Sequence, residues 1–87
     1  MRLELHETGQ SQVDGAWVSA ANIWEREPLG GDGPVALHAQ ITVEEEAPVD
    51  VAEGEELAIA GARWRVIEIT EDPAHRRGGV ILERIQA

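Results

Sequence analysis

Residues Val35 to Glu44 alternate without a break, and this constrains the fold more than anything else in the chain. Val35, Leu37, Ala39, Ile41 and Val43 fall on one side. Ala36, His38, Gln40, Thr42 and Glu44 fall on the other. A repeat of two over that length fits a strand with one buried and one wet face, and no helix satisfies it. Met1 to Glu7 repeats the pattern, with Leu3 and Leu5 opposite Arg2, Glu4 and His6, and Val80 to Ile85 reads as a closing strand. Ala16 to Glu27 is ambiguous, because Ala20 and Ala21 invite helix while Trp17, Val18, Ile23 and Trp24 favour strand; it reads as a strand, with a bulge near Ser19–Asn22. Trp64 to Thr70 is a further strand, with Trp64 and Val66 on one face and Ile67 and Ile69 on the other.

Turn chemistry separates these runs. Thr8 to Gly15 reads as a polar turn, Ala60-Gly61-Ala62 as a tight turn after Leu57 and Ile59, and Glu71 to Gly79 as a loop. The segment 28–34 holds two prolines and three glycines and must be a loop. The segment 44–56 reads as irregular, with Val49 and Val51 as a short extended piece. The expectation is an all-β fold of five or six mostly antiparallel strands: a small single-domain barrel or sandwich over residues 1–87. A partly closed barrel would also remove exposed strand edges.

The core must be built from little. Of 37 apolar residues 12 are alanine, and the only aromatics are Trp17, Trp24 and Trp64, so all three are expected in the core. An isolated fold of this size is marginal and gains from partner chains. No cysteine is present, which excludes disulfides, thiolate metal sites and thiol catalysis. No apolar run approaches the ~20 residues of a membrane helix, and Glu4, His6 and Glu7 break the start where a signal peptide would be apolar. A soluble intracellular protein without membrane contact is expected.

Chemistry-bearing patterns are sparse. His6, His38 and His75 lack ligand spacing, and His6 and His38 sit on the polar sides of their strands, where they read as solvated. Neither Ser11 nor Ser19 lies in a nucleophile turn. Leu29, Gly30, Gly31, Asp32 and Gly33 lack the Lys and Ser/Thr of a phosphate loop and precede a strand; they read as a connector and candidate docking loop. The sequence therefore argues against an enzyme and implies no cofactor and no metal.

Charge is the remaining signal. Seventeen carboxylates face seven arginines and no lysine, for a net charge of −10. Such a chain does not bind nucleic acid by neutralising phosphates. Glu44, Glu45, Glu46, Asp50, Glu53, Glu55 and Glu56 fall within thirteen residues that contain no basic side chain. This run is either a solvated loop or a surface that repels or imitates DNA. Arg76 and Arg77 form a basic tip, and with Trp24 they are candidate contacts between identical subunits in a head-to-tail ring.

The order of these segments resembles the phage head–tail joining family, the head-closure, stopper or adaptor proteins. Gly15-Ala16-Trp17-Val18 resembles the family's Gly-x-Trp segment, and Ile23-Trp24 running into Glu27-Pro28-Leu29 resembles its Val-Trp-Ala…Pro-Leu segment. The alternating strand from Val35 to Val43 follows. Ile59-Ala60-Gly61-Ala62-Arg63-Trp64-Arg65-Val66-Ile67-Glu68-Ile69 is similar to its Gly-x-Arg-aromatic hairpin. The resemblance implies a non-enzymatic homo-oligomeric ring of the virion, assembled in the bacterial host's cytoplasm. It would dock on a portal or adaptor protein, receive the tail, and let DNA pass an acidic channel without specific binding. The other readings of the residues are an acidic DNA-mimic inhibitor and a β-barrel interaction module of bacterial origin.

Overall fold

A computed structural model describes residues 2–7, 9–26, 35–72, 74 and 77–86. Eight strands follow one another: β1 (Arg2–His6), β2 (Gln10–Val13), β3 (Ala16–Arg26), β4 (Ala36–Val43), β5 (Val49–Ala52), β6 (Glu56–Ile59), β7 (Ala62–Thr70) and β8 (Gly79–Gln86). They form two four-stranded sheets, in the orders β1-β8-β7-β6 and β2-β3-β4-β5. Every paired strand is antiparallel to its neighbour. The middle of the chain thus makes one meander, and its two ends make the other sheet by pairing β1 with β8. The chain changes sheet between β1 and β2 and again between β5 and β6. At the first change a single parallel bridge, Glu7 with Ala20 of β3, links the two sheets, and no closed barrel is seen among the described residues.

Two strands were not expected. Gln10–Val13 lies in the segment read as a turn, and Val49–Ala52 is a full strand in the segment read as irregular. Each has four residues, too few to display a convincing repeat. Turn geometry sets the β2–β3 and β6–β7 hairpins. Asp14 and Gly15 have φ of 49° and 86°, and Ala60 and Gly61 have 50° and 84°. Two successive left-handed residues match the twist of antiparallel strands, and Asp-Gly is a preferred pair for such a turn.

One-residue irregularities decide which side chains enter the core. In β3 the register shifts between Ala21 and Trp24, and Asn22 sits at φ 53°. Asparagine tolerates that region better than most residues. Before the shift Val18 and Ala20 point inward; after it Ile23 does. Trp24, which strict alternation would send inward with Val18 and Ala20, instead shares the outer face with Trp17. The two indoles are 47% and 49% exposed, contrary to the expectation that all three tryptophans are core. Only Trp64 is fully buried. The Asn22 side-chain amide donates to Gln40 Oε1 at 2.6 Å across the bulge. A second shift in β7, between Val66 and Glu68, leaves Ile67 and Glu68 both outside and returns Ile69 to the side of Trp64 and Val66, correcting the expected opposition of those residues.

The buried apolar residues form one cluster with members from both sheets. Leu5, Ile59, Trp64, Val66, Val80 and Leu82 come from one, and Val18, Ile41 and Val51 from the other. At the end of this core Arg84 reaches Asp14 of the opposite sheet, 3.6 Å away. Gly78 is held where β8 begins: a Cβ there would meet the Thr70 carbonyl oxygen at 2.6 Å.

Candidate functional site

The acidic run is folded into three different environments. Asp50, on β5, has a buried side chain whose Oδ2 lies 2.7 Å from Nδ1 of His38. His38 is only 4% exposed, which corrects its reading as a solvated histidine. It occupies the outer side of β4 as the alternation requires, but its neighbours across the ladder, Trp24 on β3 and Ala52 on β5, flank it on both sides. Asp50 itself pairs with Gln40, two register positions along the ladder from His38 and so on the same face. No sequence pattern could align His38 with Asp50, because their meeting depends on the β4–β5 register.

Glu56 opens β6 and faces two arginines of β7. Arg65 Nη2 donates to its Oε2 at 3.0 Å and Arg63 Nη2 to its Oε1 at 3.1 Å. The hydrogen bond from Arg65, and next that from Arg63, hold the Glu56 carboxyl below the ordinary glutamate range. A segment without basic residues in sequence thus acquires counter-charge from the next strand. The pair belongs to a row crossing the whole sheet: Arg2 pairs in register with Glu83, Glu83 with Arg65, and Arg65 with Glu56. Arg2 and Glu83 approach to 3.5 Å.

The other five acids lie on two turns that bracket β5, an edge strand of its sheet. Glu44, Glu45 and Glu46 are exposed between β4 and β5, and Glu53 and Glu55 between β5 and β6. Three of them accept backbone N–H groups: Glu44 from Trp17 at 3.0 Å, Glu55 from Ala52 at 2.6 Å and Glu53 from Ile69 at 2.8 Å. These bonds fix the turns, while carboxylates at an edge discourage pairing with another chain's strand. The run is therefore one edge strand with an acidic turn at each end.

Of the expected subunit contacts, Trp24 lies on the outer face of β3 and Arg77 is exposed before β8, its N–H donating to the Asp72 carbonyl at 3.4 Å. Arg76 and the docking loop of Leu29, Gly30, Gly31, Asp32 and Gly33 lie outside the described residues. Trp24 also walls an open groove of about 580 Å³ with Glu7, Gln10, Ser19 and Asn22. Among the described residues no three His, Asp or Glu side chains converge as metal ligands, and no helix is long and apolar enough to cross a membrane.

The chain matches no known protein family, no curated protein and no solved structure.

Proposed function

We propose that this protein is a structural ring subunit at the joint between a phage head and its tail, with DNA passing through the ring unbound. The observation that carries the reading is the placement of five exposed carboxylates on the two turns bracketing one edge strand. Turned toward a shared axis, that edge presents a band of negative charge in every copy. Carboxylates repel phosphates, whereas arginines would release counterions and hold the duplex. In this reading the two sheets are the layers of a small sandwich, and ring neighbours complete the burial that so short a chain leaves unfinished. The partners are further copies, a portal or adaptor protein and a tail protein, and the site of action is the virion, assembled in the host's cytoplasm.

Electron microscopy of the purified protein, alone and with a portal protein, tests the ring. Closed annular particles with a central channel are expected; a chain that stays monomeric in both settings overturns the reading. The channel's charge is tested with Glu45→Gln, Glu46→Gln, Glu53→Gln and Glu55→Gln combined, which keeps one acceptor oxygen on each side chain. Particles carrying this variant are expected to assemble and to eject DNA abnormally, with a defect that shrinks as salt screens exposed charge. Parental behaviour at all salt concentrations removes the acids from the channel.

A further inference from the structure

The two outer faces of the molecule differ in kind. On the outer side of the β2-β3-β4-β5 sheet the exposed described side chains include Gln10, Gln12, Trp17, Ala21 and Trp24, none of them charged; the exposed Glu25 alternates with Trp24 and falls on the other side of β3, with Ile23. Among the described side chains of that face two are ionisable, His38 and Asp50, and they are buried against each other. In a chain with net charge −10 and more than a quarter of its residues charged, this face is the exception. Its composition is that of an interface centre, where charge is depleted and aromatic residues are enriched. The β3 bulge puts both half-exposed indoles on it. The opposite sheet carries Ile67 and Ile85, 40% and 42% exposed, around a hollow of about 200 Å³ shared with Arg65, Glu83 and Arg84. Its arginines are largely answered within the row Arg2, Glu83, Arg65 and Glu56.

We propose that the Trp17–Trp24 face of one copy seats on the Ile67–Ile85 face of a second copy. Charge selects this occupant. Two chains at −10 repel wherever their acidic turns meet, and these are the faces where one carries no charge among its exposed described outer side chains and the other carries balanced charge. Nucleic acid is repelled by the chain as a whole. A strongly basic protein would be drawn to the acidic turns rather than to that face. Apolar contact on Ile67 and Ile85 and an indole over the Arg65 guanidinium supply the attraction. A molecule measuring 32 × 29 × 23 Å offers a face of the order of the roughly 800 Å² that each partner buries in a standard interface. Because the surfaces differ, the contact is heterologous and leaves each copy able to take a further neighbour. The closure of such a series into a ring rests on the function proposed above; the contact itself does not.

The absence of native cysteine allows the contact to be mapped with a short bis-maleimide. Gln12→Cys, opposite Trp17 in the ladder, and Ile67→Cys are made in separate chains. A cross-link that forms only when the two are mixed is expected, with a ladder of multimers when one chain carries both. Gln12→Cys cross-linking to itself means a two-fold pairing of tryptophan faces and overturns the proposal. An oligomeric protein with no cross-link overturns it too, while leaving a ring built on other surfaces intact. The specific cross-link on open chains that never close supports the contact and removes the ring. Monomers throughout overturn both. Combining Trp17→Ser with Trp24→Ser is expected to weaken self-association at least ~100-fold, the effect of losing two interface anchors. The remaining Trp64 keeps a buried-indole emission if the fold is intact; unchanged association in a chain with that emission overturns the proposal.

Discussion

Trp64 makes the largest single contribution to the buried volume, whereas Trp17 and Trp24 contribute about half their surface. Truncation should separate them sharply. Trp64→Ala is expected to cost ~3–5 kcal/mol in denaturant unfolding, through lost transfer energy and the cavity left behind. Trp17→Ala in the monomer should lie nearer the ±0.5 kcal/mol typical of surface positions. The Trp64 indole N–H meets no acceptor among the described residues, a burden of roughly 1–3 kcal/mol that phenylalanine escapes. Trp64→Phe is therefore expected to be milder than Trp64→Ala. Glu56 gives a test in pH. Its folded-state pKa is depressed by Arg65 and Arg63, so its contribution is complete above the unfolded glutamate value near 4.5 and fades as pH falls through the lower folded value. Carboxyl-detected NMR should find the Glu56 midpoint rising in Arg65→Ala, with a smaller rise in Arg63→Ala; an unmoved midpoint in both would refute the pairing.

At the scale of elements, single residues at turns and bulges control whole faces. The bulge at Asn22 reverses the phase of β3, and without it Trp24 would compete with Ile23 for the core. Asn22→Val forces a β-branched residue into the left-handed region and should cost ~1–2 kcal/mol or more, whereas Asn22→Gly should be tolerated better. The β6–β7 turn offers the converse. Ala60 bears a φ of 50° that alanine adopts poorly, and the neighbouring Gly61 completes the two-residue turn. Ala60→Asn should stabilise the protein by about 0.5–1 kcal/mol, read as a higher denaturation midpoint at unchanged slope. The same turn chemistry was present in sequence at Asp14-Gly15, but Gln10 to Val13 before it holds a single apolar side chain. Reading 8–15 as a turn alone missed β2 because four residues give only two alternations.

Among the described residues charge is segregated: acids crowd the turns, the exposed outer side chains of one sheet are uncharged, and those of the other are balanced. Self-association through the faces must then overcome repulsion between acidic rims. Sedimentation equilibrium should find association strengthening as salt rises, because screening weakens rim repulsion more than it weakens apolar contact. An interface held by exposed ion pairs would weaken instead. The salt trend thus decides between the face contact and one made by the exposed Arg77 on a neighbour's acidic turn.

The alternation at 2–7, 35–44 and 80–85, together with the glycine-bearing turns, was enough to determine an all-β chain, because a period of two follows from backbone geometry alone. Composition placed all three tryptophans inside, which holds for Trp64 alone. Pairing was beyond its reach. That β1 meets β8, that His38 meets Asp50, and that Glu56 finds Arg65 and Arg63 depend on register and on sheet order. The facing of Trp24 and Ile69 depends on one extra residue in β3 and one in β7. Local preference is nearly indifferent to such a slip, but it reverses every side chain beyond it, so only the fit of the assembled core could decide which tryptophan was buried and which face was left for a partner.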